Sequence, residues 1–488
     1  MPRPWDISDL QEWEARIFEK VQAFGLAPYP QEFEICDHEQ MLAYMAYSGM
    51  PAHYPHWSYG KSFEKQKTLY DYGVSGLPYE MVINSDPCFA YLMRGNSLCL
   101  QILTIAHVYG HNDFFANNYM FGDTHADLTL NNFKIRAERV RGYTEDPSIG
   151  VDRVEAVLDA AHALQFNCKR HRMIRTLTRD EQHDRLLAGA EPDRDPYAEL
   201  HRTPDRAAPD TSRLPLEPED NLLLFIRDHN PALSEWEKDL LTIVHEQAQY
   251  FIPQIETKIM NEGWASYWHH RILESLELPA DLHLEFLVHH NQVVRPHPGS
   301  INPYHVGYRI WEDIIRRYDN PTPREIERWG KRDVKGGDVI FAVREADRDA
   351  SFIRRFLTEE LMRDLDIFEH EHRGQERVVS KVADEDNWQA VKDTLLKNVG
   401  MASMPIIRVI DADYGRLHAL HVRHEYDGRE LNLEYAEHTL CHLHQLWGRT
   451  VHLETVISGK PIMLTFDDEE GFHEETTFQA TLTLEGIV

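Results

Sequence analysis

A long apolar segment with two histidines sets the strongest limit on how this chain can fold. Residues 96–115 read NSLCLQILTIAHVYGHNDFF, in which His107 and His111 lie four positions apart. Asn96 or Ser97 can cap a helix at its start, and the pattern that follows predicts a long helix. Residues four apart share one face of a helix, so this segment places two imidazoles side by side in apolar surroundings.

Further helices are predicted where apolar residues recur every three or four positions. DISDLQEWEARIFEKVQAFGL and EFEICDHEQMLAYMAYSGMP are two such segments, and YEMVI between helices is typical of a strand. In SEWEKDLLTIVHEQAQYF, Ser234 and Glu237 form a capping-box pattern, and Pro253 is expected to end the helix. The sequence therefore predicts a large helical body over residues 1–400.

Two parts of the chain depart from this helical pattern. Residues 178–218 are rich in Pro, Asp and Arg and lack long apolar periodicity, which predicts an exposed excursion. After about residue 400, PIIRVIDADY, RLHALHVRHEY, TVHLETV and KPIMLTF are typical of strands, and LEYAEHTLCHLHQLWG of a helix. The predicted fold is mainly α, with a small α+β C-terminal domain at residues 401–488.

Composition excludes several classes of function. The 51 basic and 81 acidic residues give a net charge of -30, so we expect no binding to nucleic acid or to anionic membrane surfaces. No segment reaches the roughly 18 apolar residues of a membrane helix, and the N-terminus lacks the apolar stretch of a signal peptide. Five cysteines without a C-x-x-C pair are typical of a reducing compartment. A cytoplasmic protein without membrane insertion is predicted.

His107 and His111 are the first candidates for chemistry. Imidazoles at i and i+4 can reach one metal ion, although Val108 stands where zinc proteases of the H-E-x-x-H type carry a glutamate. The alternative is that the pair simply packs in the core. Phe114 and Phe115 follow and are expected to pack the end of the helix, which would hold both imidazoles still.

A second candidate set lies in MNEGWASYWHH, where Glu262 and His269 are seven positions apart and share a helix face. Some zinc proteases carry a glutamate as third ligand in a similar N-E-x-x-A setting. A buried carboxylate needs a cation, a metal ion or a proton, and the alternative for Glu262 is a structural ion pair. The combined donors suit a divalent metal, Zn, Fe or Mn. The predicted ligands are His107, His111, Glu262 and His269.

Two acids are candidates for the base that a metal-activated water requires. Asp113 follows the histidine pair directly. Glu246 lies in IVHEQAQYF, which begins like H-E-x-x-H at His245 but has Gln249 in place of the second histidine; a solvated helical pair is the alternative. A proline-rich stretch supplies four more histidines that can line the mouth of a site or simply form a surface connection: His289, His290, His297 and His305.

Five motifs in the chain resemble those of the SpoVR family, the stage V sporulation protein R-like proteins. The motifs are HVYGHNDFF, TKIMNEGWASYWH, PHWSYGKSFE, LWGRTVHLET and an NPY followed by glycine, and the resemblance covers nearly all of the chain outside 178–218. It implies a link to spore cortex formation or to a stress response, and partners that are a serine-kinase-like ATPase and a protein with a von Willebrand-like domain. It adds weight to the four predicted ligands, whereas the arginine common in the family at position 245 counts against His245.

Two functions fit these observations. The first is a metal-dependent enzyme with zincin-like chemistry, an amide or peptide hydrolase that acts on a cell-wall-related or protein substrate. The second is a non-catalytic regulator or adaptor of the kinase-like ATPase, with residues 401–488 as the docking module. A third alternative is a structural metal ion that ties two helices together.

Overall fold

The computed structural model describes residues 5–72, 78–170, 175, 177–190, 214–297, 301–330, 333–373, 376–382 and 387–475. The elements up to residue 293 are α1 (Ile7–Ala23), β1 (Gln31–Cys36), α2 (His38–Ala46), α3 (Trp57–Asp71), β2 (Glu80–Ile83), β3 (Cys88–Met93), α4 (Leu98–Asn117), α5 (Thr129–Glu145), α6 (Val151–Leu164), α7 (Arg179–Ala190), α8 (Leu222–His229), α9 (Glu235–Glu256), α10 (Lys258–Ser275) and α11 (Ala280–Val293). Those that follow are α12 (Pro303–Asp319), α13 (Pro323–Trp329), α14 (Gly336–Ala346), α15 (Asp349–Phe356), α16 (Glu359–Asp364), β4 (Phe368–Arg373), β5 (Glu376–Val382), α17 (Trp388–Asn398), β6 (Ile407–Tyr414), β7 (Ala419–His424), α18 (Leu433–Trp447), β8 (Val451–Ile457), β9 (Lys460–Asp467) and β10 (Gly471–Glu475).

The predicted fold class, a mainly helical body with a small α+β C-terminal part, is confirmed. The chain forms two compact units. The first comprises Met1–Arg141 and Gln249–Ser403, and the second Gly142–Ala248 and Met404–Val488. The division into domains at 1–400 and 401–488 stays a prediction.

Helices α4, α10 and α12 form the centre of the first unit. α4 is buried from Cys99 to Phe115, as expected of a helix that is apolar on all sides. Ser97 caps it by accepting a hydrogen bond from the amide of Leu100, which satisfies one of the unpaired N–H groups at the helix start. The candidate histidines are therefore fixed in the best-packed part of the unit.

Glycines allow these three helices to cross at short distance. A Cβ atom on Gly110 of α4 would lie 2.6 Å from the Cα of Ala265 on α10, and one on Gly263 of α10 would lie 2.3 Å from the carbonyl carbon of Gly307 on α12. No side chain fits at either distance, so each crossing depends on the missing Cβ atom. The close approach brings polar side chains of all three helices together.

A three-stranded sheet of order β1-β3-β2 flanks this centre, with β1 parallel and β2 antiparallel to β3. The single helix predicted for EFEICDHEQMLAYMAYSGMP is wrong in its first third, because residues 31–36 form β1. There, Phe33 and Ile35 alternate with acids and pair with β3. Asp37 then starts α2 through a capping box with Gln40. Strand alternation outweighed the helical periodicity in this segment.

The second unit contains the C-terminal sheet, of order β10-β9-β8-β7-β6, in which β7 and β8 are parallel and the other pairs antiparallel. α18 packs on this sheet and on α6 through buried leucines, including Leu440 and Leu443. The side chain of Asn230 donates hydrogen bonds to the carbonyls of Leu446 and Trp447 at the end of α18. This arrangement matches the strand and helix pattern predicted after residue 400.

Two further predictions concern Pro253 and residues 178–218. Pro253 does not end its helix, since α9 continues through it to Glu256. The predicted excursion at 178–218 contains α7, but residues 191–213 lie outside the described residues, so the excursion stays a prediction. Among the described residues, no helix combines the length and the apolar character that crossing a bilayer requires.

Candidate metal centre

Two imidazoles of α4 face the same small volume. His107 and His111 are only 4% and 7% exposed, and their ring centroids lie 4.6 Å apart. The four-residue spacing predicts this arrangement, because side chains at i and i+4 lie one above the other on a helix. The pair is thus set by the local geometry of one rigid element.

Two carboxylates from other elements approach these imidazoles. Oε2 of Glu262, on α10, lies 3.5 Å from Nε2 of His111 and 3.9 Å from Nε2 of His107. Oε1 of Glu80, on β2, lies 4.0 Å from Nε2 of His107. One ligand atom from each of Glu80, His107 and His111 lies within 4.8 Å of the others. This buried group could hold a metal ion.

The Nδ1 atoms of His107 and His111, on the far side of each ring from the carboxylates, already have hydrogen-bond partners. Nδ1 of His111 lies 2.9 Å from Oδ1 of Asn261, and since an amide oxygen only accepts, Nδ1 carries the proton. Nδ1 of His107 lies 2.9 Å from Nδ1 of His269. A neutral imidazole has one N–H. The Nε2 atom of His111, which faces Glu262, therefore presents a lone pair.

The protonation states fit this picture. Burial, together with the neighbouring His107, lowers the pKa of His111 to about 4, so this imidazole is neutral at pH 7. Burial acts to raise the pKa of Glu262, but His107 and His111 outweigh it, and the pKa lies below its usual value. Burial raises the pKa of Glu80, with Glu262 adding to the rise and His107 opposing it. The two carboxyl groups thus differ in acidity.

One carboxylate oxygen has no hydrogen-bond partner. Within the described chain, Oε2 of Glu262 is buried and accepts no hydrogen bond, which is costly for a charged group. It faces the lone pair of His111, and two lone pairs at this distance repel each other unless a cation or a proton lies between them. Imidazole nitrogens with carboxylate oxygens are donors that Zn, Fe and Mn accept. The donor set therefore fits a divalent metal ion.

His269, the fourth predicted ligand, lies behind His107 and is fully buried. Its Nδ1 contacts Nδ1 of His107, and its Nε2 lies 2.8 Å from Nδ1 of His290. Both of its nitrogens are therefore engaged with other histidines. The structure brings His107, His111 and Glu262 together and places His269 against His107. The assignment of the four residues as metal ligands stays a prediction.

Asp113, one of the predicted bases, belongs to a separate buried ion pair. Its two carboxylate oxygens lie 2.7 and 2.8 Å from Nη1 of Arg344 on α14. Trp264 Nε1 and the amide of Ala27 also donate to it, both at 2.8 Å. Burial acts to raise the pKa of Asp113, and Arg344 opposes that rise. These contacts tie α4 to its neighbours and direct the carboxylate away from the group around Glu262.

Glu246, the other predicted base, lies on the part of α9 that belongs to the second unit. There, its charge acts on Arg227 of α8. His245 precedes it on the same helix. The roles predicted for this pair stay predictions.

A cavity of about 400 Å³ opens beside the centre. His107 and Glu262 form part of its wall, together with Leu103, Val293 and Lys258. A pocket of this size accommodates a small molecule or a short segment of a larger one. The centre is therefore accessible to a ligand from one side.

The four additional histidines have different surroundings. His297 lines the cavity, as predicted for a residue at the mouth of the site. His290 is buried against His269, whereas Nε2 of His289 lies 3.5 Å from a carboxylate oxygen of Glu285 on the same helix. The pKa of His305 is lowered by burial and by Arg309. The stretch thus contributes residues both to the cavity and to the support behind the centre.

Sequence reasoning missed two residues of the site. Glu80 is an acid at the start of an otherwise apolar strand, and this is the one signal that could have identified it. The ring of Tyr304 stacks on His107 with centroids 6.1 Å apart, and its hydroxyl is hydrogen-bonded to Glu262, which together with burial raises the tyrosine pKa. Tyr304 belongs to the NPY motif that contributes to the family resemblance, but that motif does not by itself indicate a role beside Glu262.

Comparison with known proteins gives one consistent family. The family described as SpoVR like protein matches residues 4–404, and the SpoVR-like C-terminal domain matches residues 405–458. A relative from Escherichia coli (strain K12), named uncharacterized protein YcgB, is 34% identical over 474 residues, which cover 92% of each chain. No solved structure matches this chain.

Proposed function

The chain belongs to the SpoVR-like protein family, and we propose that it is a metal-dependent enzyme that hydrolyses amide or peptide bonds. The observation that carries the proposal is the unpartnered Oε2 of Glu262 facing the neutral Nε2 of His111. The two atoms are both electron-pair donors, and Oε2 accepts no hydrogen bond that would take the place of a cation. A cavity leads to the same place.

Each side chain has a separate task in this proposal. His107, His111 and Glu262 would hold the ion, since they offer two imidazole nitrogens and a carboxylate. A divalent ion in such a site supplies Lewis acidity and lowers the pKa of bound water. Glu80 is assigned the role of general base instead of ligand, because its pKa is raised while that of Glu262 is lowered, and the more basic carboxylate is the better proton acceptor. Tyr304 keeps its proton and orients Glu262 through the hydrogen bond between them.

The cavity supports a substrate with apolar and polar parts. Leu103 and Val293 form an apolar part of the wall, and His297 provides an imidazole. Lys258 is exposed on the same wall, and its charge contributes to the low pKa of Glu262. A cation so placed can stabilise the oxygen that becomes negative when an amide carbonyl is attacked. We propose amides of cell-wall-related or protein material as the substrate class.

The test is hydrolysis by protein loaded with Zn, Fe or Mn in turn, assayed on peptide and cell-wall-derived amide mixtures. We expect turnover with one of the metals, no turnover for His107→Ala/His111→Ala, and unchanged turnover for His38→Ala, a change at an exposed histidine on α2. A wild-type protein that binds stoichiometric metal but cleaves none of these substrates would count against the hydrolase and leave a structural ion as the better description.

The second candidate, an adaptor for a serine-kinase-like ATPase or a von Willebrand-like-domain protein, is favoured by one feature of the second unit. Leu417 and Tyr435 are 75% and 72% exposed, so both side chains are available for contact with a partner protein. The test is capture of purified ATPase by the Leu417→Asp/Tyr435→Asp variant, with Leu284→Asp, exposed on the first unit, as control. Equal capture by the wild type, the double variant and the control would show that Leu417 and Tyr435 do not form the binding surface.

A further inference from the structure

Three buried histidines form a continuous chain that leads away from the candidate centre. Nδ1 of His107 lies 2.9 Å from Nδ1 of His269, and Nε2 of His269 lies 2.8 Å from Nδ1 of His290. His269 has no exposed surface and His290 only 5%. The chain joins α4, α10 and α11.

The protons in such a chain can be arranged in only two directions. His269 is fully buried and each of its nitrogens faces another imidazole, surroundings that favour the neutral ring. A neutral imidazole donates from one nitrogen and accepts at the other. If Nδ1 of His107 donates to His269, then Nε2 of His269 donates to His290. If the first bond is reversed, Nε2 of His269 accepts and Nδ1 of His290 donates.

The direction of the chain decides what His107 presents to the carboxylates. Only when its Nδ1 carries the proton does its Nε2 offer a lone pair to a metal ion. In the reverse direction Nε2 carries the proton and cannot act as a ligand. A metal ion on Nε2 of His107 therefore requires the first direction, in which Nδ1 of His290 accepts the last hydrogen bond of the chain.

We propose that His290 is a positioning residue that sets the tautomer in which His107 can bind metal, through His269. This inference rests on the proposed function, since it concerns the same centre. It assigns to His269 the role of a relay between the two residues instead of that of a ligand. Outer hydrogen-bond partners of histidine ligands typically change metal affinity by about 10- to 100-fold when they are removed.

The experiment measures the affinity of Zn²⁺ by competition with a chelator, and the visible spectrum of the Co²⁺-loaded protein, for the wild type and four variants. His290→Leu and His290→Gln remove the acceptor at the Nδ1 position, whereas His290→Asn keeps an oxygen there. His289→Leu is the matched control on the same helix, because its imidazole lies beside Glu285. Thermal unfolding establishes that each variant is folded.

We expect affinity about 10- to 100-fold lower and an altered Co²⁺ spectrum for the Leu and Gln variants, with values near the wild type for His290→Asn and His289→Leu. If His290→Leu does not fold, the comparison of His290→Gln with His290→Asn still tests the proposal. Wild-type affinity and spectrum in both Leu and Gln variants would overturn the inference while leaving the metal centre in place. A wild-type protein that binds neither Zn²⁺ nor Co²⁺ would overturn both.

Discussion

Nε2 of His111 lies 3.5 Å from Oε2 of Glu262, and each atom offers a lone pair to the other. The imidazole is held in this form by Asn261 on its far side, and its pKa of about 4 keeps it neutral at pH 7. A neutral acceptor facing an ionised acceptor in a buried site is unfavourable without a cation. This relationship is the basis of the metal centre.

The two carboxylates are expected to respond differently to the same change. Glu262→Gln should lower metal affinity by at least about 10-fold, because it removes the charged ligand. Glu80→Gln should keep most of the metal and lose at least about 100-fold in turnover, as expected for a missing general base. Metal content and hydrolysis rate are measured side by side on both variants. If Glu80→Gln lost the metal and Glu262→Gln retained it, Glu80 would be the ligand and Glu262 the candidate base.

The helix crossings predict a stability effect at a glycine. Gly263→Ala should destabilise the protein by at least about 1–3 kcal/mol, because the new Cβ would meet the backbone of Gly307 at 2.3 Å. Gly60→Ala lies in α3, where a new Cβ would have no atom within 4 Å, and it should be neutral or stabilise by about 0.5–1 kcal/mol. Urea unfolding of the two variants checks the contrast, and equal effects would mean that the crossing is not tightly packed.

Asp113 is expected to behave as a structural residue. Arg344→Met should cost about 3–5 kcal/mol, because it leaves the buried carboxylate without its charged partner. Asp113→Asn/Arg344→Met should recover part of that loss. Metal content should not change in any folded variant. Unaltered stability in Arg344→Met, together with lost turnover in Asp113→Asn, would support the catalytic role that the sequence suggested.

Asp349 predicts a pH dependence of stability. It accepts hydrogen bonds from the amides of Ile259 and Met260 at the start of α10, and burial raises its pKa to about 7. Between its ordinary pKa near 3.8 and pH 7, the folded protein holds a proton that the unfolded chain releases. The contribution of this proton to the free energy of unfolding is therefore complete below about pH 4 and is lost as the pH rises to 7.

The measurement compares urea unfolding of the wild type and Asp349→Asn from pH 4 to pH 8. We expect the wild type to lose a few kcal/mol relative to the variant up to pH 7, since one pKa unit corresponds to about 1.4 kcal/mol, and no further change above that. A difference between the two proteins that is independent of pH would show that the carboxyl group does not titrate in this range.

The helices and most strands followed from the local pattern, and so did the pairing of His107 with His111, because a four-residue spacing on one helix is local information. Glu80 was out of reach because it enters the site from a strand whose position depends on how the small sheet packs beside α4. The chain from His107 to His290 also depends on contacts between three helices.

Strand alternation at Phe33 and Ile35 competed with a helical period in the same segment, and only pairing with β3 decides between them. Pro253 was expected to end α9, but the helix continues past it. Asp113 looked like a base because it follows the histidines in sequence. Its helix position turns it toward Arg344, which lies on an element far along the chain.

The most direct test of the metal centre is elemental analysis of the purified, untagged wild-type protein beside His107→Ala/His111→Ala, with both shown to be folded. We expect close to one equivalent of Zn, Fe or Mn in the wild type and none in the variant. Equal metal content in the two folded proteins, or no metal in the wild type after loading with each ion, would contradict the assignment of this centre.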